Sequence, residues 1–364
     1  MLCLLRAPRV KVFRSHTGFL YSIQKHRSPV AKPVAFHKKR SGACDGIFHL
    51  SNYRLRQFKF LSLLLLTSAL LFACAPRSES GKSAPTSNTA AEMREVTDDA
   101  GKRVRVPVRP ERIITLAPNL TEIVYAVGAG PRLVGNTTYC DYPPEAHQVT
   151  KVGDTLHPSI ERILALRPQL ILVSTASQLE TFARQLDEQQ IAVYVTDPRD
   201  LEGVLRSIVS VGDLLGQRAE AERVAGELRA RAAKVEEAAK SRPPISVFYQ
   251  LSAEPLYTAG RDSYITDLVR RAGGRSVTAD VPGAWPRYSD ESALASRPEA
   301  IVMATGGSMG EANADVAAAL KTSPAVKSGR IIKIDGDYLS RPGPRLVDGL
   351  EQMARSLHPE AFGQ

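Results

Sequence analysis

From residue 112 onward, short runs of β-branched and aliphatic residues take turns with longer stretches patterned for helices. "RIITLA" (112–117) reads as a strand; Asn119 and Thr121 after it offer helix-cap chemistry, and "EIVYAVGAG" reads as a helix closed by glycine. "LILVS" (170–174) and "AVYVT" (192–196) are further strands, alternating with helical stretches predicted at 177–190 and 200–215. Strand and helix in alternation predict a parallel α/β sheet. Then "GQRAEAERVAGELRARAAKVEEAAKS" (216–241) runs rich in Ala, Glu and Arg until Pro243 and Pro244 stop it. Two dozen helix-forming residues make a helix of about 36 Å, long enough to join two lobes.

Beyond that helix the pattern returns. "SVFYQL" (246–251) is again a strand, and "YITDLVRRAGG" (264–274) echoes "LTEIVYAVGAG" (120–130) as a helix closed by glycine. "SIERILALRPQLILV" (159–173) and "SDESALASRPEAIVM" (289–303) share seven of fifteen positions. Each copy reads as a Ser N-cap, a first-turn Glu, one short helix, a proline stop and a buried strand. The chain is thus two similar α/β lobes bridged by a helix, and its 364 residues also favour two lobes over one core.

Charge changes the picture only at the N-terminal end. Residues 1–73 hold 13 Lys and Arg against the single acid Asp45, a balance of +12 within the chain's +10, which leaves −2 for residues 74–364. The basic pI therefore gives no support for nucleic-acid binding. Arg54, Arg56 and Lys59 precede the apolar run "FLSLLLLTSALLFA" (60–73), and Cys74 follows directly. That is the layout of a secretory signal, and "LFAC" (71–74) resembles a bacterial lipobox, which implies that Cys74 is acylated. Phe72 stands where a small residue is usual. Residues 1–50 fit no part of a signal and are expected to be a doubtful extension ahead of the true start; 51–73 form the signal. Residues 74–94 are the lipidated cysteine and a tether spanning roughly 20–25 Å. The lobes are expected at 95–215 and 243–364, with the linking helix at 216–242. Of four cysteines, Cys140 alone lies past the leader and Cys74, so no intramolecular disulfide is expected.

In parallel α/β sheets ligands sit beyond the carboxyl ends of the strands, and two facing lobes make one cleft. Four irregular segments are candidates to line it: "NTTYCDYPPEAH" (136–147), "LSAEPLYTAG" (251–260), "VPGAWPRYS" (281–289) and "DGDYLSRPGPR" (335–345). Each carries Tyr or Trp, and Trp285 is the only tryptophan of the chain.

"YCDYPPEA", "GAWPRYSDESALASRPEAIV" and "GDYLSRPGPR", in that order around the central helix, resemble the helix-linked periplasmic binding proteins for cobalamin, haem and iron chelates, most of all the cobalamin binders. The resemblance covers roughly residues 110–358. It implies two Rossmann-like α/β lobes joined by one long rigid helix, one ligand in the cleft and docking to a dimeric ABC permease with its ATPase subunits. It also implies a monomer held at the membrane by its lipid, with no enzymatic activity and no cofactor beyond the transported ligand, cobalamin or a related corrinoid. By position, Trp285 matches a tryptophan that packs on the corrin, Tyr139 and Tyr257 match aromatic walls, and Asp337 matches a polar contact. Glu161 and Glu291, one per lobe, match glutamates that meet arginines of the permease; as first-turn residues they also favour their helix dipoles. The chain departs from the family at Thr155 and Leu251, where aromatic walls would fall. Haem or an iron-siderophore therefore remains the alternative ligand, for which Arg287 and Arg341 are available cations.

A reading of another class rests on "GGSMG" (306–310), which satisfies G-x-S-x-G after the strand "AIVMAT"; Ser308, Asp337 and His358 follow the order of a serine hydrolase. Against it, His358 lies beyond the last helix and little sheet follows the pattern. His147, His157 and His358, the histidines after Cys74, are not spaced as metal ligands.

Overall fold

The computed structural model describes residues 92–174, 185–186, 188–189, 191–307 and 315–363. The signal, Cys74, most of the helical stretch at 177–190 and Ser308 lie outside them. All described residues belong to one unit, Ala84–Gln364.

The first element is one the hydrophobic pattern did not announce. Strand β1 (Met93–Thr97) pairs antiparallel with β2 (Arg103–Pro107), and Val104 and Val106 turn into the core. The hairpin is pinned from outside by Arg94, whose Nη1 donates to Asp213 Oδ2 at 2.8 Å. Next come β3 (Ile113–Thr115), helix α1 (Pro118–Ala126), β4 (Leu133–Asn136), α2 (Ile160–Ala165), β5 (Leu170–Ser174), β6 (Ala192–Thr196) and α3 (Leu201–Leu214). The four strands β3 to β6 make a parallel sheet in the order β4-β3-β5-β6.

The expected caps of α1 are not used as caps. Its N-cap position is Ala117, and Pro118 fills the first turn, where a missing N–H leaves nothing unsatisfied. Asn119 and Thr121 are buried and use their polar groups elsewhere: Asn119 Nδ2 donates to the Pro342 carbonyl at 3.3 Å, and Thr121 Oγ1 bonds Thr115 Oγ1 at 2.5 Å.

Helix α4 (Arg218–Ala239) spans about 33 Å at 1.5 Å per residue. Its buried residues Ala221, Ala225, Leu228, Ala232, Val235 and Ala239 recur every three or four positions, one stripe made mostly of alanine. Small residues let the helix lie close. A Cβ on Gly212 of α3 would collide with Ala221, so glycine is required at that crossing.

The second lobe follows as β7 (Ile245–Ala253), β8 (Leu256–Thr258), α5 (Tyr264–Arg271), β9 (Gly274–Ser276), α6 (Asp290–Ser296), β10 (Ala300–Thr305), β11 (Ile331–Asp335) and α7 (Leu346–Leu357). Its sheet runs β11-β10-β7 in parallel, with β8 antiparallel and β9 parallel on the remaining edge of β7.

Alternation along the strands sorts the core into three parts. Leu170, Leu172, Val247, Tyr249, Ala300 and Val302 face one shared cluster that also takes in the α4 stripe and α7. The intervening residues face away: Ile171 and Val173 pack with Ile163 of α2, and Phe248, Ile301 and Met303 pack with Ala293 of α6. Two lobes therefore own one core in common and a private core each.

The internal repeat is exact enough to reappear in the backbone. Ser159 accepts from the Arg162 N–H and Ser289 from the Ser292 N–H, capping α2 and α6 at matched positions. Arg167 (φ 45°) and Arg297 (φ 43°), matched in the repeat, are the non-glycine residues with positive φ among the described residues. A left-handed conformation costs a side-chain-bearing residue about 1–2 kcal/mol, against about 0.5–1 kcal/mol of extra chain entropy lost by glycine. Arg297→Gly should therefore raise stability by about 0.5–1 kcal/mol, and adding Arg167→Gly should nearly double the gain because the sites are independent. Urea unfolding checks this; an unchanged or lowered midpoint refutes the strain.

Candidate functional site

The carboxyl ends of β4, β7 and β11 lead directly into three of the four segments singled out from the sequence, and the fourth (281–289) lies along β8. β11 ends at Asp335, whose carboxylate accepts from the Asp337 N–H at 2.9 Å and caps a single helical turn, Gly336–Leu339. That turn presents Asp337, a residue with a largely buried side chain.

Asp337 is part of a charged network that joins the lobes. Arg341 Nη2 lies 2.8 Å from Asp337 Oδ1, while Arg341 Nη1 donates to Glu122 Oε1 at 3.1 Å and to Asp141 Oδ1 at 2.6 Å. Arg345 grips the same Glu122 with both arms, Nη2 to Oε1 at 2.6 Å and Nε to Oε2 at 3.0 Å. Glu122 is 2% exposed at its side chain, Arg341 4% and Arg345 15%. Glu122 and Asp141 belong to the first lobe, the arginines and Asp337 to the second. The Tyr142 ring covers Arg345 at 4.1 Å, a cation–π contact. Burial alone would raise the pKa of Asp141, but the hydrogen bond and charge of Arg341 outweigh it and hold the carboxyl below the usual carboxylate range. Three carboxylates thus meet two guanidinium groups, so both arginines are matched by carboxylates and the five side chains carry a formal balance of −1.

Trp285 is half-buried. Its indole meets the Tyr264 ring edge-to-face, with centroids 5.7 Å apart, and Tyr264 donates its hydroxyl to the Leu339 carbonyl at 3.0 Å in the turn that holds Asp337. The loop around it follows β8: Thr258 N–H donates to the Pro286 carbonyl, and Gly260 N–H to that of Ala284. A Cβ on Gly260 would lie 2.7 Å from the Val281 carbonyl oxygen, so glycine permits this approach. Tyr257, half-buried on β8, bridges Arg287, two residues past the indole. Tyr139 is 45% exposed, and its carbonyl accepts from Arg341 Nη2 at 3.4 Å. The four expected ligand residues are therefore linked in one line: Tyr139 to Arg341, Arg341 to Asp337, the Asp337 turn to Tyr264 and Trp285, and that loop to Tyr257.

Of the two departures from the aromatic pattern, Leu251 packs on the shared core and Thr155 sits in a turn where Asp154 Oδ1 accepts from the Leu156 and His157 N–H groups. Arg287 lines a groove of about 1150 Å³ behind the β7–β8 turn with Glu254, Asp290 and Glu291. Glu161 and Glu291 are exposed at matched first-turn positions of α2 and α6. Its own backbone N–H and the Ser289 hydroxyl hold the Glu291 carboxyl below its ordinary pKa. Cys140 is buried and free, and burial pushes its thiol pKa up. His358 is buried at the end of α7, with Nε2 3.0 Å from the Gly273 carbonyl.

Sequence reasoning named Arg341 as an available cation and overlooked Glu122, Asp141 and Arg345. A signal was present: a lone glutamate among Leu120, Ile123 and Val124 on a buried helix, with Asp337, Arg341 and Arg345 spaced four apart.

The family model described as Periplasmic binding protein matches residues 113–338. The chain belongs to that family. An ABC transporter substrate-binding lipoprotein of Bacillus subtilis, YvrC, itself uncharacterized, is 30% identical over 82% of this chain and 96% of its own. The crystal structure of the periplasmic vitamin B12 binding protein BtuF of Vibrio cholerae superposes with TM-score 0.62 at 29% identity, covering 71% of this chain and all of that one. The periplasmic heme-binding protein RhuT of Roseiflexus gives TM-score 0.61 at 26% identity over 69% of this chain and 99% of its own. The protein is thus an extracytoplasmic substrate-binding protein of the ABC-importer class that handles vitamin B12, haem and siderophores. Proteins of this class carry a transported ligand and are not enzymes.

Removing one partner of a buried ion pair strands the others, at about 3–5 kcal/mol. Glu122→Ala should lose that much in urea unfolding, and a loss under about 1 kcal/mol would show the network to be incidental. A carboxyl with a depressed pKa stabilises above its unfolded value and loses that contribution as pH falls through the folded one. The stability difference between the wild type and Asp141→Asn should therefore be constant from about pH 5 to 8 and shrink progressively as pH falls below the unfolded value of about 4.

Proposed function

We propose that the protein captures cobalamin or a related corrinoid between its lobes and delivers it to a membrane permease. The observation that carries this reading is the pairing of an aromatic rim with an ion network in which carboxylates outnumber arginines three to two. Tyr139, Tyr257 and Trp285 offer flat apolar faces to a broad macrocycle, and Asp337 offers carboxylate oxygen to the amide fringe of the corrin. Cyanocobalamin has no net charge. Haem brings two carboxylates and many iron chelates bring more, and both arginines of the network are already committed to Glu122, Asp141 and Asp337. Likeness to the vitamin B12 binding protein BtuF supports the same choice.

In this reading the lipid on Cys74 anchors a monomer to the membrane, and Glu161 and Glu291 meet basic residues on the two halves of a permease served by ATPase subunits. Their matched places on α2 and α6 suit a two-fold partner. Such exposed charges govern encounter more than tight affinity.

Titration of residues 92–364 with cyanocobalamin, followed by heat and by Trp285 fluorescence, is expected to give one site, weakened about ten- to hundredfold by Trp285→Ala. Tight binding of haemin with none of cyanocobalamin would replace the corrinoid by a porphyrin. Reversing Glu161 and Glu291 to Arg together should abolish transport and leave ligand affinity intact; transport at the wild-type rate would remove the docking role.

A further inference from the structure

Lys151 differs from the charged side chains around it in the kind of partner it has. Its Nζ donates to Asn136 Oδ1 at 2.9 Å, to the Cys140 carbonyl at 2.9 Å and to the Ala146 carbonyl at 3.1 Å. None of these acceptors is a carboxylate. An ammonium group carries three N–H donors, and three acceptors meet it here, so its hydrogen bonds are complete. The acceptors come from the first residue, the middle and the far end of the segment 136–146.

The surroundings hold the lysine in place. Its backbone forms a parallel bridge with Asn136, flanked by the Asn136 N–H on the Thr150 carbonyl at 3.0 Å and the Val152 N–H on the Asn136 carbonyl at 2.9 Å. Asn136 is fully buried, and its Nδ2 donates to the same Ala146 carbonyl at 3.0 Å. The loop is thus wrapped around an ammonium group as it would be around a bound cation.

What this loop carries makes its order matter. Tyr139 is the expected aromatic wall of the first lobe, Asp141 reaches Arg341 of the second lobe at 2.6 Å, and Tyr142 covers Arg345. Residues 137–143 contain no helix or strand. Fixing each such residue costs about 1–2 kcal/mol of backbone entropy, which a cleft must meet before the ligand arrives if the wall is to be preformed.

We propose that Lys151 is the positioning residue of the first lobe's cleft wall, its ammonium fixing the 136–146 loop so that Tyr139 faces the ligand and Asp141 engages the opposite lobe. The part of this inference that concerns the ligand rests on the corrinoid reading; the part that concerns the loop does not. The geometry also sets the residue type. Three donors radiate from one atom in lysine, whereas the guanidinium of arginine spreads its donors in a plane, so a positive charge alone does not reproduce the cage.

The test uses the full-length protein with Lys151→Met and Lys151→Arg. Hydrogen exchange read by mass spectrometry, without ligand, should show residues 137–147 exchanging about tenfold faster or more in both variants, while 170–174 and 245–253 keep wild-type protection. Cyanocobalamin, or haemin if only that binds the wild type, should bind both variants about tenfold more weakly, mainly through faster release. Wild-type exchange in Lys151→Met would overturn the proposal, and wild-type exchange in Lys151→Arg would reduce Lys151 to a plain charge and overturn it equally. A loosened loop with unchanged ligand affinity would overturn the role in the wall. Should the wild type bind neither probe, the exchange comparison alone decides the hold of Lys151 on the loop, and the failure belongs to the ligand reading.

Discussion

A buried carboxylate that two arginines share is the constraint on which the arrangement of this molecule depends. Glu122 stands on α1 where the helix faces the interior, a position that would be costly for a lone charge. Arg341 and Arg345 compensate it from the other lobe, and in doing so draw in Asp141 and Asp337. The contact joins residues far apart in the chain into one small volume from which water is largely excluded, where opposite charges attract more strongly than at a surface. The rim aromatic residues then inherit their places: Tyr139 and Tyr142 from the loop that supplies Asp141, and Trp285 from the ring of Tyr264 and the turn that supplies Asp337.

The shared hydrophobic core acts in the same direction. In many two-lobed binders flexible strands connect the halves; here an alanine-lined helix is packed into both. Arg229 ties it to Glu202 of α3, and Arg231 ties it to Asp348 and Glu351 of α7. Those pairs are partly exposed and contribute little individually. Asp267 of α5 contributes more specifically, since its carboxylate accepts the first N–H of α3 at 3.1 Å, a cap supplied by one lobe to a helix of the other. A common core, a crossing cap and a crossing ion network thus all tie the two lobes together.

How much of this was legible in the sequence depends on the distance over which each feature is encoded. The repeat around Ser159 and Ser289 is local: a cap, an apolar position one turn on and a proline stop lie within fifteen residues, so both helices and the strands after them could be read directly. The linking helix was equally plain, because its composition and its proline stop are contiguous. Asn119 and Thr121 misled because cap-forming residue types are also ordinary hydrogen-bond donors and acceptors, and tertiary partners at Pro342 and Thr115 claimed them. The β1–β2 hairpin escaped because its alternation is short and its charged residues look like those of a tether. The partners of Glu122 and Asp141 lie some two hundred residues away, and no local pattern specifies such a pairing. Lys151 was invisible for another reason: two of its acceptors are backbone carbonyls, which leave no trace in residue identity, and the third is the side-chain amide of Asn136, a residue type with many other uses.

The shared core also has a meaning for how such a protein can diverge. The inner faces of β5 and β7 and the α4 stripe belong to one core, so neither lobe is a self-sufficient module: replacing one by its counterpart from a relative would present the other with half of a foreign interior. The rim is different. Tyr139 stands on a loop, 45% exposed, and Tyr257 on the edge strand β8, so their identities can change with little effect on the core, whereas Trp285 also packs on Tyr264. Single residue changes at Tyr139 or Tyr257 are therefore open to this architecture, and whole-lobe exchange is closed to it.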